Sequence, residues 1–425
     1  MQVRLYIMEI LDMDKIQFNK DQLLNESKIF CMFPWMHLNV TPKGDIYPCC
    51  SNNYSAPFGS TKETSLKEAF NNDKMKQLRL NMLNNVKSEI CDFCYKHEEA
   101  GPYSFRTYSK DHWAKRFDEL VPTTLEDGTV PDFKMHYFDI RFSNICNFKC
   151  RTCGSEFSSQ WAAEDRVYDK TKPIVIHADD HKGDLLAEVL DQVEHIDLAY
   201  FAGGEPLITE EHYVILEEMI RKGRTNTTLR YNTNASTIKY KNHDILGLWK
   251  HFKKVELSCS VDHYGERAEW LRHGTDWGKV ESNLLTFRDL DYVVFQINTV
   301  FSLFNYPTLR EFYNYLKSKN IVQTNDWYNS LYLAVHPSYY SAKSLPKELK
   351  QLARDSAQDL VKSHGTDYPG LTRLVNDAVS FADQEDTWKD NKDTFFKHTE
   401  AQDKLRNEDF FKTFPELSRL RDLEE

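Results

Sequence analysis

The sequence lacks any apolar run that approaches the roughly 20 residues needed to span a bilayer, so no membrane partner is expected. It shows no internal repeat and no low-complexity tract. The N-terminal residues include acidic side chains and no long apolar core, and we therefore expect no signal peptide. Together these absences predict a cytoplasmic protein.

Charge and composition narrow the class of protein. The 425 residues carry 54 Lys and Arg against 65 Asp and Glu, and the formal net charge of −11 argues against a nucleic-acid backbone as the main partner. With 40% hydrophobic and 13% aromatic residues, the chain is able to bury a large core in two or three domains. The nine cysteines are odd in number and grouped, which favours metal binding in a reducing cytosol over disulfides.

Three of the cysteines stand close together after a predicted strand. Cys146, Cys150 and Cys153 form a C-x3-C-x2-C loop at that strand's carboxyl end. A [4Fe–4S] cluster takes four thiolates, one for each iron, and no fourth cysteine lies nearby in sequence. Three thiolates would leave one iron open for a small molecule, as catalytic metal sites do. The alternative is a structural zinc knuckle or a chance group of buried thiols.

From residue 138 onward, short apolar runs alternate with helical patterns, which predicts βα units around a parallel sheet. The predicted strands are residues 138–142, 196–201, 229–232, 255–260, 295–301 and 331–335. The predicted helices between them include residues 184–194, 210–222, 277–290 and 308–318. The pattern favours an α/β fold with a partial (β/α)6 TIM-type barrel, whose chemistry lies at the carboxyl ends of the strands.

Polar residues follow the second and third predicted strands. The second strand ends in Gly203-Gly204-Glu205-Pro206, where the glycines permit close approach to a ligand and the proline fixes the next turn. Glu205 is an acceptor suited to an ammonium group. Asn234, at the end of the third strand, is suited to ribose hydroxyls or a carboxylate. An ordinary strand-to-helix turn and a helix cap are the alternatives at these two places.

The fourth predicted strand ends near Ser260 and is followed by Arg272. The guanidinium of Arg272 is able to pair with a carboxylate through two hydrogen bonds, and a surface salt bridge is the alternative. Cys259 lies inside this strand with no cysteine near it in sequence, and we predict that it is a core residue rather than a ligand.

A second cysteine group lies upstream. Two short strands are predicted at residues 35–40 and 45–47, joined at the turn signal Pro42-Lys-Gly44. Cysteines at the outer ends of this hairpin and a later C-x2-C pair could close a four-thiolate site, and the predicted ligands are Cys31, Cys49, Cys91 and Cys94. A four-cysteine zinc ribbon takes the same set. The role of Cys50 is left open.

These patterns divide the chain into three parts. Residues 1–130 are predicted to form a small cysteine-rich α+β domain with a connector, and residues 131–338 to form the barrel. Residues 339–425 are highly charged, and their amphipathic spacing predicts a C-terminal helical extension that packs over the barrel.

The Cys146/Cys150/Cys153 spacing resembles the signature of the radical S-adenosylmethionine (SAM) enzymes. In that family three cysteines hold a [4Fe–4S] cluster, its open iron binds SAM, and a Gly-Gly-Glu-Pro stretch matching residues 203–206 contacts the SAM amino group. The resemblance extends to Asn234 and Ser260, and it implies that they bind the cofactor. The carboxylate with which Arg272 is able to pair would then be that of SAM. The family's usual Thr-Asn-Gly has Ala235 here in place of glycine, and its Ser-x-Asp-Gly has His263.

The upstream spacing Cys31-x12-Gly44-x4-Cys49 resembles the auxiliary-cluster motif of SPASM and twitch domains. Such domains carry additional [4Fe–4S] clusters in radical SAM enzymes that act mainly on peptides and proteins. This resemblance implies one auxiliary cluster, in a domain that here precedes the barrel instead of following it.

The two resemblances imply an enzyme that cleaves SAM reductively to a 5′-deoxyadenosyl radical and abstracts a substrate hydrogen. They imply SAM, a one-electron donor such as flavodoxin or ferredoxin, and a peptide or protein substrate as partners. Radical modification of a small metabolite, nucleoside or sugar is the second hypothesis. A non-catalytic zinc or iron–sulfur interaction protein is the third. The residue that acts as catalytic acid or base is not identified.

Overall fold

A computed structural model describes residues 18–54, 56–99, 101, 103–179, 184–322, 330–366 and 368–423. The chain divides into two compact units. The first comprises residues 1–144, 175–203 and 210–229, and the second comprises residues 145–174, 204–209 and 230–425. Within the described ranges, no helix has both the length and the apolar character needed to cross a membrane.

Helices occur in both units and are numbered in chain order. Those of the first unit are α1 (Leu66–Phe70), α2 (Asp73–Leu83), α3 (Asp92–Glu99), α4 (Phe105–Trp113), α5 (Phe117–Leu120), α7 (Asp184–Gln192) and α8 (Glu210–Arg221). Those of the second unit are α6 (Ser159–Asp165), α9 (Ile245–Trp249), α10 (Gly265–Leu271), α11 (Trp277–Arg288), α12 (Leu309–Ser318), α13 (Lys347–His364), α14 (Pro369–Asp383), α15 (Trp388–Arg406) and α16 (Phe410–Thr413).

The strands are numbered in the same way. Those of the first unit are β1 (His37–Val40), β2 (Asp45–Tyr47), β3 (Gly59–Ser60), β4 (Tyr137–Ile140) and β6 (Leu198–Phe201). Those of the second unit are β5 (Lys149–Cys150), β8 (Lys239–Tyr240), β9 (His243–Asp244), β10 (Lys254–Ser260), β11 (Arg272–His273), β12 (Val293–Phe301) and β13 (Ser330–Leu333). Strand β7 (Thr228–Thr233) begins in the first unit and continues into the second.

The sheet of the first unit joins the cysteine-rich hairpin to the strand that precedes the C-x3-C-x2-C loop. Its strand order is β6-β4-β1-β2-β3, with β1 parallel to β4 and antiparallel to β2. The hairpin turn closes at Gly44, whose φ of +91° favours glycine, and its N–H donates to the Thr41 carbonyl at 2.9 Å. The predicted hairpin is therefore confirmed.

The second unit carries the order β13-β12-β10-β7, and β10, β12 and β13 run parallel. Helix α11 crosses between β10 and β12. Asp276 caps its N-terminus by accepting from the Lys279 N–H, and Leu284 and Phe287 are among its buried residues. The second unit also contains a two-stranded sheet in which β5 pairs with β11, and this pairing joins the cysteine loop to the segment after α10.

The C-terminal helices bury an aromatic cluster in the second unit. Phe410 of α16 lies 5.5 Å from Trp270 of α10 and 5.7 Å from Phe304, measured between ring centroids, and it also packs on Phe395 of α15. The C-terminal helices therefore pack on the rest of the second unit through buried aromatic rings.

The predicted α/β class is confirmed. All six strands and all four helices predicted from residue 138 onward are present with shifted ends, and the pairing is mostly parallel. The small N-terminal part with strands and helices and the C-terminal helices are also present. The division into domains at residues 130 and 338 stays a prediction.

Candidate functional site

Strand pairing and local hydrogen bonds fix the C-x3-C-x2-C loop. Cys150 lies in β5, opposite Arg272 of β11. The indole N–H of Trp161 donates to the Cys150 carbonyl at 2.7 Å, and the Cys153 N–H donates to the same carbonyl at 3.0 Å. The Cys146 N–H donates to Ser159 Oγ at 3.3 Å. The three thiols are half-buried, and none of them forms a disulfide.

The surroundings of these thiols suit a metal cluster with negative charge. Burial raises the pKa of the Cys150 thiol to about 12, and burial likewise raises the pKa values of Cys146 and Cys153. The neighbouring Arg272 guanidinium opposes this rise at Cys150 and Cys153. Thiolates form there when a soft cation displaces the protons, because metal binding releases them. Three soft donors beside a fixed cation therefore fit an iron–sulfur cluster with one open iron.

Glu205 is buried and holds the turn after β7. Its carboxylate accepts from Thr233 Oγ1 at 2.7 Å, from the Asn234 N–H at 2.7 Å and from the Leu207 N–H at 3.1 Å. Burial raises the pKa of Glu205 to about 7, and these hydrogen bonds oppose the rise. A carboxylate offers about four lone-pair sites, so one acceptor position remains for an ammonium group. Pro206 begins a short 3-10 helix after it.

Asn234 joins this turn to the cysteine loop. Its Nδ2 donates to Asn147 Oδ1 at 2.9 Å, and Asn147, between the first two cysteines, donates to Ser236 Oγ at 3.0 Å. The Glu205 N–H donates to the Ile145 carbonyl at 2.8 Å. The cysteine loop, the Gly-Gly-Glu-Pro stretch and the end of β7 are thus linked through direct hydrogen bonds.

Ala235 adopts the backbone conformation that a glycine would favour. Its φ is +58°, its side chain is fully buried, and its carbonyl accepts from Asn283 Nδ2 at 2.8 Å. The turn therefore forms without glycine, although a left-handed conformation costs an L-residue roughly 1–2 kcal/mol.

The remaining predicted cofactor residues lie in different settings. Ser260 is the last residue of β10 and pairs in register with Asn298. Within the described ranges, no hydrogen bond joins its hydroxyl to the cysteine loop. Gly204 belongs to the second unit, whereas Gly203 belongs to the first. Gly203 has a φ of +124°, which favours glycine, and a Cβ added to it would lie only 3.1 Å from the Cβ of Arg141.

Arg272 is a largely buried residue that contacts both a carboxylate and a cysteine sulfur. Its Nε donates to Asp262 Oδ2 at 2.8 Å, and its Nη1 lies 3.6 Å from the Cys150 sulfur. The side chains of Arg272 and Asp262 are 13% and 5% exposed, so the pair is not a surface salt bridge. Cys259 is fully buried in β10, as expected for a core residue.

Four upstream cysteines form a separate group in the first unit. Burial raises the pKa of Cys49 well above its usual value, and the nearby Cys50, Cys91, Cys31 and Cys94 raise it further, so Cys31, Cys91 and Cys94 lie within electrostatic reach of Cys49, as does its neighbour Cys50. The sulfur of Cys31 lies 3.1 Å from Ser109 Oγ. Four soft donors gathered in this way fit an iron–sulfur cluster.

Cys50 has different neighbours. Burial raises the pKa of its thiol, the charge of the nearby Asp139 raises it further, and the charge of Arg141 lowers it.

Across the part of the chain that the structure describes, no three His, Cys, Asp or Glu side chains are arranged around a single metal ion. A four-iron cluster takes one thiolate for each iron, so its sulfur ligands lie farther apart than those of one ion.

Sequence reasoning missed several residues that organise the site. Asn147 and Thr233 sit beside predicted residues, and only their hydrogen bonds to Asn234 and Glu205 identify them. The side-chain amide between two cysteines is a weak signal that could have pointed to Asn147. The sequence spacing of Asp262 and Arg272 gave no signal that these two residues form an ion pair.

Two family models match parts of the chain. The SPASM model, an iron–sulfur cluster-binding domain, matches residues 31–95, and the Radical SAM superfamily model matches residues 140–316. No curated protein sequence matches the chain.

Two solved structures illustrate the structural similarity. Histidine-tagged anSMEcpe with bound AdoMet is 20% identical, with a TM-score of 0.38, and the match covers 55% of this chain and 60% of that one. SuiB of Streptococcus suis bound to S-adenosylmethionine is 13% identical, with a TM-score of 0.33, and the match covers 79% of this chain and 73% of that one. The chain thus spans less than two thirds of anSMEcpe.

The two matched domains determine the cofactors. A radical SAM domain uses a [4Fe–4S] cluster and SAM, and a SPASM domain binds auxiliary iron–sulfur clusters. The chain therefore contains a radical SAM domain at residues 140–316 and, ahead of it, an iron–sulfur cluster-binding SPASM domain at residues 31–95.

Proposed function

We propose that this protein is a radical SAM enzyme that modifies a peptide or protein. When bound, the cluster and SAM supply one-electron cleavage of SAM to a 5′-deoxyadenosyl radical, which abstracts a substrate hydrogen. The electron comes from a flavodoxin or ferredoxin. The observation that carries this proposal is the linkage of the Cys146/Cys150/Cys153 loop to the Gly-Gly-Glu-Pro turn through Asn147, Asn234 and Glu205.

We assign the three loop cysteines as the ligands of the SAM-binding cluster. Arg272 places its cation beside the Cys150 sulfur and stabilises negative charge there. Glu205 keeps one acceptor position for the SAM ammonium while it holds the backbone of Asn234. Gly203, Gly204 and Pro206 shape the turn, and Ser260 contributes a hydroxyl at the end of β10.

We assign Cys31, Cys49, Cys91 and Cys94 as the ligands of the auxiliary cluster. The influence of Cys91, Cys31 and Cys94 on Cys49 supports this set. Cys50 also influences Cys49, but the charged groups that act on Cys50 itself are Asp139 and Arg141. A peptide or protein substrate is supported by the SPASM match, since domains of this kind occur mainly in peptide-modifying radical SAM enzymes.

The test measures iron content and 5′-deoxyadenosine together in the anaerobically reconstituted, dithionite-reduced protein. We expect about eight irons per chain and SAM cleavage, since two clusters carry four irons each. Cys150→Ala should lose about four irons and all product, whereas Cys259→Ala, a change at a buried cysteine that is not a ligand, should retain both. Four irons in the wild type, all lost in Cys150→Ala, would remove the auxiliary cluster. Zinc without product would overturn the proposal.

A further inference from the structure

One face of the first unit's sheet is unusually polar. Strands β1 and β4 run parallel with Asn39 beside Asp139 and His37 beside Tyr137. Because side chains alternate along a strand, His37, Asn39 and Thr41 point to the same side as Asp139. Asp139 and the two β1 side chains His37 and Asn39 are each fully buried.

The opposite face of the same sheet is apolar and packs against a helix. Phe138 of β4 lies 5.3 Å from Phe201 of β6, between ring centroids, and Phe201 lies 4.7 Å from His212 of α8. An apolar core of this unit therefore lies on the Phe138 side. On the other side, Phe33 and Tyr137 pack against the ring of His37, and the polar atoms of Asn39, Thr41 and Asp139 follow along the two strands.

Several buried atoms of the polar face lack hydrogen-bond partners. Considering only the described residues, no N–H or O–H group bonds His37 Nε2, Asn39 Oδ1, Thr41 Oγ1 or either carboxylate oxygen of Asp139. The charged neighbour of Asp139 is Arg141, with Nε 3.5 Å from Oδ1, and the Cys50 thiol, a weak donor, also lies near it.

The unpartnered atoms are mostly acceptors. His37 Nδ1 lies 2.8 Å from the Tyr137 carbonyl, which only accepts, so Nδ1 carries the proton and Nε2 presents a lone pair. Asn39 Nδ2 donates to the Asp139 backbone carbonyl at 3.3 Å, which leaves the Asn39 oxygen as the free end. With the Asp139 carboxylate, four acceptor atoms therefore face the same side.

Leaving such atoms unpaired is costly. Each buried polar group without a partner costs roughly 1–3 kcal/mol, and natural proteins keep few of them outside functional sites. The charges of Asp139 and Arg141 offset each other, and His37 and Asn39 are neutral. A buried cation placed here would add an uncompensated charge, which is unfavourable. The face is therefore suited to a neutral group that donates N–H hydrogen bonds.

We propose that His37, Asn39, Thr41 and Asp139 form a binding site for a neutral carboxamide of the substrate, the side-chain amide of a glutamine or asparagine in a peptide. Cys50, Arg141 and Tyr200 neighbour these residues and are only half-buried, so this side of the face keeps partial exposure to solvent. The peptide nature of the ligand rests on the proposed function, but the preference for an amide rests on the acceptor set alone.

The test measures the melting temperature of the reconstituted holoenzyme with three methylamide-capped tripeptides, acetyl-Gly-X-Gly, at millimolar concentration. We expect the peptide with X = Gln to raise the melting temperature and those with X = Glu or Leu to leave it unchanged, because ligand binding stabilises the folded state. Equal shifts from all three peptides would overturn the proposal. The absence of any shift would also overturn it and would mean that the face holds only water. A fourth peptide with X = Arg tests for a cation: a shift from this peptide and from none of the other three would overturn the proposal of a neutral ligand.

Variants link the binding to the named atoms. Asp139→Asn, which replaces an acceptor with a donor, should weaken Gln-peptide binding at least about tenfold, and Thr41→Val should weaken it less. Asp197→Asn is the matched control, because that carboxylate of the same unit is already bonded to Arg116 and His136. Unchanged binding by folded Asp139→Asn and Thr41→Val proteins would overturn the assignment.

Two separate measurements on the wild type distinguish the possible failures. SAM cleavage without any peptide binding would leave the proposed function standing and remove this site. Gln-peptide binding in a protein that never cleaves SAM would leave this site standing and remove the proposed function.

Discussion

Arg272 and Cys150 face each other across a two-residue antiparallel strand pair, with Nη1 of the guanidinium 3.6 Å from the sulfur. The same guanidinium is held from the other side by Asp262, whose Oδ2 accepts from Nε at 2.8 Å. A buried cation with one partner carboxylate and one partner sulfur can serve both stability and the charge of a bound cluster.

The first prediction concerns Arg272→Gln. Removing the guanidinium leaves the buried Asp262 carboxylate unpaired, and we expect the free energy of unfolding to fall by roughly 3–5 kcal/mol. We also expect faster loss of iron from the cysteine loop under a chelator, since the sulfur loses its neighbouring cation. Denaturant titration and chelator kinetics measure the two effects.

The matched variants are Asp262→Asn and the double variant Arg272→Gln/Asp262→Asn. If Arg272 acts only through its ion pair, the double variant should recover most of the stability and also retain iron as the wild type does. Recovered stability with fast iron loss supports the direct effect on Cys150. If Arg272→Gln lost iron no faster than the wild type, the direct effect of Arg272 on Cys150 would be refuted.

The local parts of this site were predictable from the sequence, whereas its long-range contacts were not. Hydrophobic periodicity located β4, β10 and β12, and the cysteine spacing located the loop, because both patterns depend on neighbouring residues. The contact between Cys150 and Arg272 joins positions more than a hundred residues apart. The conformation of Ala235 was not predictable for a different reason. The residue type alone suggests that the left-handed turn is lost without glycine, but surrounding hydrogen bonds hold that turn at Ala235.

The second prediction separates Cys50 from Cys49. In a background in which the three loop cysteines are alanine, Cys49→Ser should lose the roughly four irons of the auxiliary cluster, and Cys50→Ser should keep them. The reason is that Cys31, Cys91 and Cys94 act on Cys49 in addition to its neighbour Cys50, whereas the charged groups that act on Cys50 are Asp139 and Arg141. Iron analysis per chain makes the measurement. Equal loss in both variants would make Cys50 a ligand.

The third prediction concerns pH and His263. The Tyr264 N–H donates to His263 Nδ1 at 3.0 Å, so Nε2 carries the proton and lies 3.1 Å from Thr308 Oγ1. Burial, with a smaller effect of Arg267, lowers the pKa of His263 to about 3. The folded protein thus keeps a neutral ring that the unfolded chain protonates near pH 6.5. Stability is fully present above that pH and is lost as pH falls.

We expect the free energy of unfolding to fall between pH 6.5 and 5 by roughly 1–2 kcal/mol more in the wild type than in His263→Phe. Phenylalanine keeps the ring contact with Phe312, 5.4 Å away between centroids, but cannot be protonated. Denaturant titrations at the two pH values measure the difference. Parallel pH profiles for the two proteins would show that His263 does not titrate on unfolding.

The fourth prediction tests how the C-terminal helices support the cysteine loop. Arg406 of α15 donates to both oxygens of Glu164 at 3.1 and 3.0 Å, and Lys149 lies 2.6 Å from the same carboxylate. The Arg406 guanidinium also lies 4.7 Å from the ring of Trp161, which donates to the Cys150 carbonyl. A charged side chain of the C-terminal extension thus contacts residues that position Cys150, the proposed cluster ligand.

Glu164→Gln leaves two cations without their carboxylate, and we expect it to lower the free energy of unfolding by roughly 3–5 kcal/mol and to speed the loss of loop iron. The matched control is Asp383→Asn, which breaks a partly exposed pair with Arg354 in the same C-terminal region and should cost about 1 kcal/mol or less. Denaturant titration with iron analysis compares the two. If both variants cost the same, the contact is an ordinary surface pair, and the C-terminal helices do not hold the cluster loop in place.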